Sequence, residues 1–256
     1  MSEMNYELYM DTAVLAGKIM LESNAETYRV EETVTRILNL TELTMIDALA
    51  LTTGLIATLD SPDMHAITVV KRISSRSTNL GNITRVNDIS RRVTGGAITI
   101  EEAFKQLNAI NGKTYNDLFQ SIALIGFIQA IAIMYQGGLP EFTALIPISL
   151  AVAVVRYYGG RWRVTSFIVD MVASFTIALL TYFMSVIMPV PISEDIMIIS
   201  AIMPLLPGTA LTNGVRDIFR GDYMSGGAKM LEALLIAIFV AIGIGFGLVL
   251  GGNLFG

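Results

Sequence analysis

Long apolar runs fill the second half of the chain. A spanning helix needs about 20 residues, because the hydrocarbon core of a bilayer is about 30 Å thick. The runs predict five transmembrane helices, at Leu118–Tyr135, Phe142–Tyr158, Val164–Met188, Ile196–Val215 and Ala228–Leu250. The first half has no such run. We therefore expect a separate domain at residues 1–117 and a membrane domain at residues 118–256.

The fourth predicted span is interrupted near its middle by Pro204, Pro207 and Gly208. Proline removes a backbone donor and clashes with the preceding turn. Backbone groups released in hydrocarbon are tolerated only where protein or a water-filled cavity satisfies them. Secondary transporters bind their solutes at broken helices of this kind. The pattern therefore predicts a solute site at the break, and a packed kink without function is the alternative.

The region before the first span has the mixed periodicity of an α+β domain. Apolar residues at helical spacing predict helices around 8–19 and 30–38, and Asn24 is placed to cap the second one. Thr99-Ile-Glu-Glu102 is a capping box that begins a further helix. Two β-prone runs, Ala48–Leu59 and Ala66–Ile73, are joined by turn-forming residues 60–63 and predict a hairpin.

Charge is distributed unevenly, and this predicts the orientation. Residues 1–117 carry eleven Lys or Arg and fifteen Asp or Glu, whereas the remainder carries six and seven. Basic residues of the membrane half cluster in two connections, at Arg156, Arg161 and Arg163 and at Arg216, Arg220 and Lys229. The positive-inside rule places such connections in the cytoplasm. We therefore expect a cytoplasmic N-terminal domain, a C-terminus outside, and no signal peptide in the acidic stretch Met1–Met20.

Catalytic and metal-binding patterns are missing from the sequence. It has no cysteine for a thiolate site or a disulfide, and the spacing gives His65, the only histidine, no partners for a metal or relay role. Glu31-Glu32 and Glu101-Glu102 are adjacent on helices and point in different directions. No Gly-x-Ser-x-Gly, phosphate loop or aromatic-interleaved basic patch occurs. We expect no enzyme activity, no cofactor, no metal and no nucleic-acid partner.

Polar residues in and near the spans are the candidate functional groups. Asp170 and Glu232 lie near the starts of the third and fifth spans, and intramembrane carboxylates are costly and often functional. Close to a helix end they can instead reach water. Thr209, Thr212 and Asn213 follow the break and offer hydroxyl and amide contacts to a solute. Satisfaction of the kinked backbone is their alternative role.

One long motif comprises Pro204–Asp217, Arg220–Gly226 and Leu231–Ala233, and two shorter stretches are Ala25–Glu32 and Arg85–Arg91. Together they resemble the threonine/serine exporter family. The resemblance covers nearly the whole chain. One departure is Asn24, where the family often has a glycine, and this leaves open how the chain enters the second helix.

The resemblance implies export of small polar carboxylates across the plasma membrane, coupled to its proton or charge gradient. Threonine, serine and dicarboxylates such as succinate all fit it. Full-length members resemble two fused membrane pieces, and this chain resembles the larger, N-terminal piece. A separate small membrane subunit is therefore the expected partner, with a homo-oligomer as the other way to complete the pathway. Glycines of the last span could form that contact or pack within the chain, namely Gly243, Gly245, Gly247 and Gly251.

The hypothesis for the site is electrostatic capture. The helix that resumes after Gly208 would present its positive end to a carboxylate, Thr209, Thr212 and Asn213 would orient the substrate, and Arg216 would add cationic attraction. The candidate gating or coupling residues are Asp170, Asp217, Glu232, Arg29 and Arg91. Two other functions remain open. They are a membrane-anchored, ligand-sensing regulator and a membrane-embedded hydrolase that uses carboxylates of the N-terminal domain.

Overall fold

The computed structural model describes residues 5–62, 64–110, 115–162 and 164–255. The helices in these residues are α1 (Tyr6–Glu22), α2 (Thr27–Leu38), α3 (Leu80–Thr94), α4 (Ile100–Asn108), α5 (Asp117–Met134), α6 (Leu139–Arg161), α7 (Ser166–Ile187), α8 (Glu194–Ile202), α9 (Gly208–Phe219) and α10 (Tyr223–Phe255). The strands are β1 (Met45–Leu51), β2 (Gly54–Ser61) and β3 (Met64–Arg72). Asp63 of the predicted turn and Arg163 of the predicted basic connection lie outside the described residues.

The chain divides into two compact units, and each unit is built from two separate segments of the sequence. The first combines the described residues of Met1–Thr114 with Thr209–Met230, and the second combines Tyr115–Gly208 with Leu231–Gly256. The segment that follows the helix break thus belongs to the same unit as the N-terminal α+β region. The predicted boundary near residue 117 lies close to one of these divisions, but it omits the return of residues 209–230 to the first unit.

The first unit contains a three-stranded antiparallel sheet in the order β1-β2-β3. β2 and β3 pair around the predicted turn, from Gly54 opposite Arg72 to Ser61 opposite Met64. The single strand predicted at Ala48–Leu59 is wrong, because Thr52 and Thr53 form a turn that divides it into β1 and β2. Thr52 and Thr53 are β-prone like the residues on both sides of them, so their composition does not indicate the turn.

Helices α1 and α2 pack closely on this sheet. A side chain at Gly17 would place its Cβ only 2.6 Å from Leu55 Cδ2 and 2.7 Å from Val34 Cγ2, so the absence of a side chain lets α1 approach both α2 and β2. The core of the unit also includes α3 and α4, and α4 starts at the predicted capping box, where the Thr99 hydroxyl accepts from the Glu102 N–H at 3.3 Å.

Asn24 ends α1 and does not cap α2, contrary to the prediction. It has a left-handed backbone with φ of 61°. The Asn24 N–H donates to the Leu21 carbonyl and the Ala25 N–H to the Met20 carbonyl, both at 3.0 Å. This pairing is the Schellman termination, in which glycine or asparagine occupies the left-handed position. The sequence departure at Asn24 therefore keeps the backbone conformation that a glycine would provide.

The second unit contains α5, α6, α7, α8 and most of α10. Within the part of the chain that the structure describes, four helices are long and apolar enough to cross a membrane, namely α5, α6, α7 and α10. The pair α8 and α9 makes a fifth if its two pieces are counted as one broken span. The chain is therefore a mostly helical protein with four or five candidate spans and a small N-terminal sheet.

The interruption predicted at Pro204–Gly208 is present. Helix α8 ends at Ile202, residues Met203–Leu205 form one 3₁₀ turn, and Leu206 is extended before α9 begins at Gly208. Proline at 204 and 207 explains the break, because neither residue can donate the hydrogen bond that a continuous helix needs.

Four glycines of the last span were predicted either to contact a partner or to pack within the chain, and three of them pack within it. A Cβ at Gly247 would lie 2.7 Å from both the Ala178 Cβ and the Phe175 carbonyl, and one at Gly251 would lie 2.9 Å from the Tyr182 Cβ. Gly243 meets Ser174 and the Met171 carbonyl in the same way, whereas a Cβ at Gly245 meets nothing within 4 Å. The stripe therefore brings α10 against α7, because glycines spaced by four residues share a helix face.

Candidate functional site

Polar side chains of α9 meet the start of α2 inside the first unit. We call this the α2–α9 interface and define it by residues 24–29 on one side and residues 213–220 on the other. Asn213 Nδ2 donates to the Asn24 carbonyl at 3.1 Å. Arg216 forms an ion pair with Glu26, and the Arg220 guanidinium lies 3.4 Å above the centre of the Tyr28 ring. The contacts join residues about 190 positions apart in the chain.

Local backbone geometry sets the position of the N-terminal side. The left-handed Asn24 turns the chain after α1, and Glu26 then occupies the N-cap position of α2 in an extended conformation. A carboxylate at this position is favoured by the positive end of the helix dipole. The Glu26 side chain is 8% exposed, whereas that of its partner Arg216 is 64% exposed. The interface therefore pairs a buried carboxylate with an arginine that extends from the surface.

A second ion pair lies deeper in the same unit. Lys229 Nζ donates to Asp217 Oδ2 at 2.7 Å, and the Thr27 hydroxyl donates to the same oxygen at 2.6 Å. The two charged side chains are 3% and 0% exposed. The other carboxylate oxygen, Asp217 Oδ1, is buried without a hydrogen-bond partner among the described residues. Burying charges is costly, so each partner depends on the other.

Glycines bring Lys229 to Asp217. Gly221 has φ of +91° and ends α9, and the Asp222 N–H donates back to the Asp217 carbonyl at 2.9 Å. A Cβ at Gly226 would lie 2.8 Å from the Gly214 carbonyl, so the start of α10 can approach α9 only without a side chain there. This tight reversal places position 229 beside position 217.

Charge and burial shift two carboxyl groups of α2 and its cap in opposite directions. Burial raises the pKa of Glu26, but hydrogen bonds from Arg216 and Tyr28 and the charges of Arg216 and Arg29 outweigh it, so its pKa lies below the usual value. Burial also raises the pKa of Glu31, and the negative charges of Asp222 and Asp217 raise it further. A hydrogen bond from the Ala50 N–H lowers this pKa, but the net result is a pKa above the usual value.

The predicted binding residues lie in the α9 segment. Asn213 and Arg216 are in the α2–α9 interface, and the Thr209 hydroxyl is 3.3 Å from that of Thr78 in the same unit. The Thr212 hydroxyl donates to the Thr209 carbonyl at 3.3 Å. Gly208 starts α9 and is exposed, with no atom within 4 Å of the position of a Cβ.

The predicted gating and coupling residues are distributed over both units. Asp217 and Arg29 belong to the α2–α9 interface. Asp217 pairs with Lys229, and Arg29 lies 3.9 Å from Glu26. Arg91 is exposed on α3 of the same unit. Asp170 is buried in α7 and Glu232 is half-buried in α10, and both belong to the second unit.

Arg156 satisfies the broken backbone in the second unit. Its Nη1 donates to the Pro204 carbonyl at 3.2 Å, and its charge acts on Asp170. The alternative role of Thr209, Thr212 and Asn213 is to satisfy the kinked backbone, but at Pro204 an arginine from another helix does so. The sequence shows Arg156 only as one of several basic residues in a connection.

Among the described residues, no group of three or more His, Cys, Asp or Glu side chains is arranged to hold a metal ion.

The family model ThrE, described as "Putative threonine/serine exporter", matches residues 11–251 of the chain. The chain belongs to the threonine/serine exporter family. The threonine/serine exporter of Corynebacterium glutamicum is 23% identical over 248 residues, covering 93% of this chain and 50% of the relative. A Mycobacterium tuberculosis protein named "Probable threonine/serine exporter" is 20% identical over 243 residues, covering 92% of this chain and 45% of the relative.

A Schizosaccharomyces pombe protein named as uncharacterized is 24% identical over 207 residues, which is 77% of this chain and 23% of the relative. The chain thus spans between about a quarter and a half of the length of these curated relatives. No solved structure matches it. Two of the sequence stretches that resemble the threonine/serine exporter family, Ala25–Glu32 and Pro204–Asp217, supply the two sides of the α2–α9 interface.

Proposed function

We propose that this chain is the larger subunit of a plasma-membrane exporter for small polar carboxylates. Family membership and the four or five candidate spans support a transporter in a bilayer. Relatives named as threonine/serine exporters make threonine and serine the first substrates to test, and succinate the first dicarboxylate. The basic connections favour a cytoplasmic N-terminal region and a C-terminus outside.

The break between α8 and α9 is the observation that carries this proposal. A membrane anchor has no need for a helix that stops at two prolines and resumes with Gly208, Thr209, Thr212 and Asn213. In the proposed site these residues orient the substrate at the start of α9, and Arg216 attracts its carboxylate. Asp217 and Arg29 lie in or next to the α2–α9 interface, and with Arg91, Asp170 and Glu232 they are the proposed gating and coupling groups.

Efflux from substrate-loaded cells tests the site. We expect Thr209→Ala and Asn213→Ala each to lower the rate of efflux of threonine, serine or succinate at wild-type protein levels. Thr84→Ala and Asn108→Ala are matched controls, because both side chains are exposed and, among the described residues, donate to backbone carbonyls of their own helices. Unchanged efflux in both site variants would place the site elsewhere and would favour a regulatory role for this chain.

Reconstitution tests the two-subunit arrangement. The purified chain alone should give little flux in vesicles, and co-expression with a small membrane subunit of the same family should restore it. Strong flux from the single chain would instead support a homo-oligomer that completes the pathway.

A further inference from the structure

The carboxylate of Glu26 is surrounded by groups that would equally suit a free carboxylate. Arg216 reaches it from α9, Arg29 Nη1 lies 3.9 Å from its Oε2, and Tyr28 adds a hydrogen bond. The two arginines come from different helices and meet at a single acidic group. Arginine offers a planar set of donors that matches a carboxylate, so this arrangement is an anion-binding site that is occupied by a side chain of the protein itself.

The two sides of this contact differ in exposure. The Arg216 side chain is 64% exposed and that of Arg29 is 44% exposed, whereas that of Glu26 is 8% exposed. A small anion from solution can therefore approach both arginines while Glu26 is in place. Solvent also screens the exposed guanidinium groups of both arginines, and this weakens their attraction to Glu26.

Chemistry connects Glu26 with the proposed cargo. Its side chain ends in an aliphatic carboxylate, which is the group that threonine, serine and succinate share. At neutral pH Glu26 is charged, because its pKa is held below the usual value. It is thus a permanent anionic competitor beside Arg216, the residue proposed to attract substrate.

We propose that Glu26 is an internal ligand of the Arg216–Arg29 anion site and that the substrate carboxylate must displace it, which opens the α2–α9 interface. The inference rests on the proposed function for the identity of the substrate. Its consequence is that binding of cargo and release of α9 from α2 are one event. The N-terminal region then senses cargo directly, because residues 24–28 lose a partner whenever a substrate occupies Arg216.

Equilibrium binding to the purified full chain tests the competition. Radiolabelled succinate and L-threonine are the probes, in separate arms. Glu26→Gln keeps the size of the side chain and removes its charge, so we expect binding about tenfold tighter than in the wild type, because a competitor that fills most of the site is gone. Glu26→Asp retracts the charge by one carbon and should fall between the two.

Glu32→Gln is the matched control. Glu32 lies on α2, the helix that Glu26 caps, and forms an ion pair near the surface with Arg36 of the same helix. This variant should bind both probes like the wild type. Equal affinity of Glu26→Gln and Glu32→Gln would overturn the proposal, as would weaker binding by Glu26→Gln.

A measurement on the unaltered protein covers the case in which Glu26 variants do not fold. Saturating succinate or L-threonine should increase hydrogen exchange in peptides covering residues 24–32, because the interface opens. Unchanged or slower exchange in a protein that binds the probe would overturn the inference. If the co-expressed exporter gives flux while these results are negative, only the inference fails; absence of flux in every arm contradicts the proposed function itself.

Discussion

The two units hold their helices together by different means. In the first, α9 and the start of α10 are joined by the buried pair of Asp217 and Lys229, which also contacts Thr27. In the second, α10 packs on α7 through Gly243, Gly247 and Gly251, without a charged pair at these contacts. The first unit also has close glycine packing, at Gly226, and the buried pair of charges is added to it. The comparison teaches that the contact between α9 and α10 depends on charge as well as on close packing, whereas the contact between α7 and α10 depends on close packing.

The largest expected effect comes from breaking the buried pair. Lys229→Met leaves the Asp217 carboxylate buried without its cation, and such a change typically costs about 3–5 kcal/mol. We expect a strong loss of folded protein, measured as the temperature at which the detergent-solubilised chain loses its monodisperse elution. The double variant Asp217→Asn/Lys229→Met should recover most of the loss, because neither partner is then an unpaired charge. A single variant as stable as the wild type would contradict the importance of the pair.

Glycine packing in the second unit should show a smaller but position-specific effect. Gly247→Ala places a Cβ 2.7 Å from the Phe175 carbonyl, and overpacking of this kind costs about 1–3 kcal/mol. Gly245→Ala is the matched control two residues away, where a Cβ meets nothing within 4 Å, and its better helix propensity should leave stability equal or slightly higher. Equal melting temperatures for the two variants would show that α10 does not pack on α7 through this face.

The smallest expected effect concerns pH. Because the pKa of Glu31 is raised, the folded state binds a proton at this carboxyl group more tightly than the unfolded state does. The contribution of Glu31 to stability is therefore full below the ordinary pKa of 4.5 and is lost as pH rises through the raised pKa. Glu31→Gln keeps an acceptor for the Ala50 N–H and should raise the melting temperature at pH 7 by about 2 °C. The gain should vanish near pH 4.

Glu26→Gln should show the opposite pH dependence. The lowered pKa of Glu26 makes its contribution to stability present above the ordinary value of 4.5 and lost as pH falls through the lowered one. The Glu26→Gln variant should therefore be less stable than the wild type at pH 7, and this difference in stability should shrink in acid. If the melting curves of both variants changed with pH in the same direction, the contrast between these two carboxylates would be wrong.

Features that depend on neighbouring residues in the sequence were predictable, such as a helix break or a helix start. Two prolines and a glycine predict the break after α8 wherever the neighbouring helices lie, and Thr99 and Glu102 predict the start of α4. The spacing of Gly243, Gly247 and Gly251 shows one helix face, but it cannot show that the facing helix is α7. Thr52 and Thr53 form a turn that their β-prone neighbours hide.

The sequence indicated segments on both sides of the candidate site, but not that the two segments meet. The run from Gly208 to Asp217 is conspicuous in the sequence, whereas its partners Asn24, Glu26 and Thr27 lie about 190 positions away. Lys229 looks like a basic residue of a connection, and only the tight reversal at Gly221 makes it a buried counter-ion. The pairing of distant segments depends on the tertiary fold, which periodicity and charge counts do not contain.

The left-handed conformation of Asn24 has a consequence for the freedom of the unfolded chain. Glycine at this position would adopt the same φ without strain, but it would have more conformations to lose on folding, whereas asparagine restricts them at little cost. Asparagine can therefore supply the same turn from a less disordered unfolded state. A β-branched residue would be strained there. The residue at position 24 thus affects stability through the entropy of the unfolded state, in which the α2–α9 interface does not yet exist.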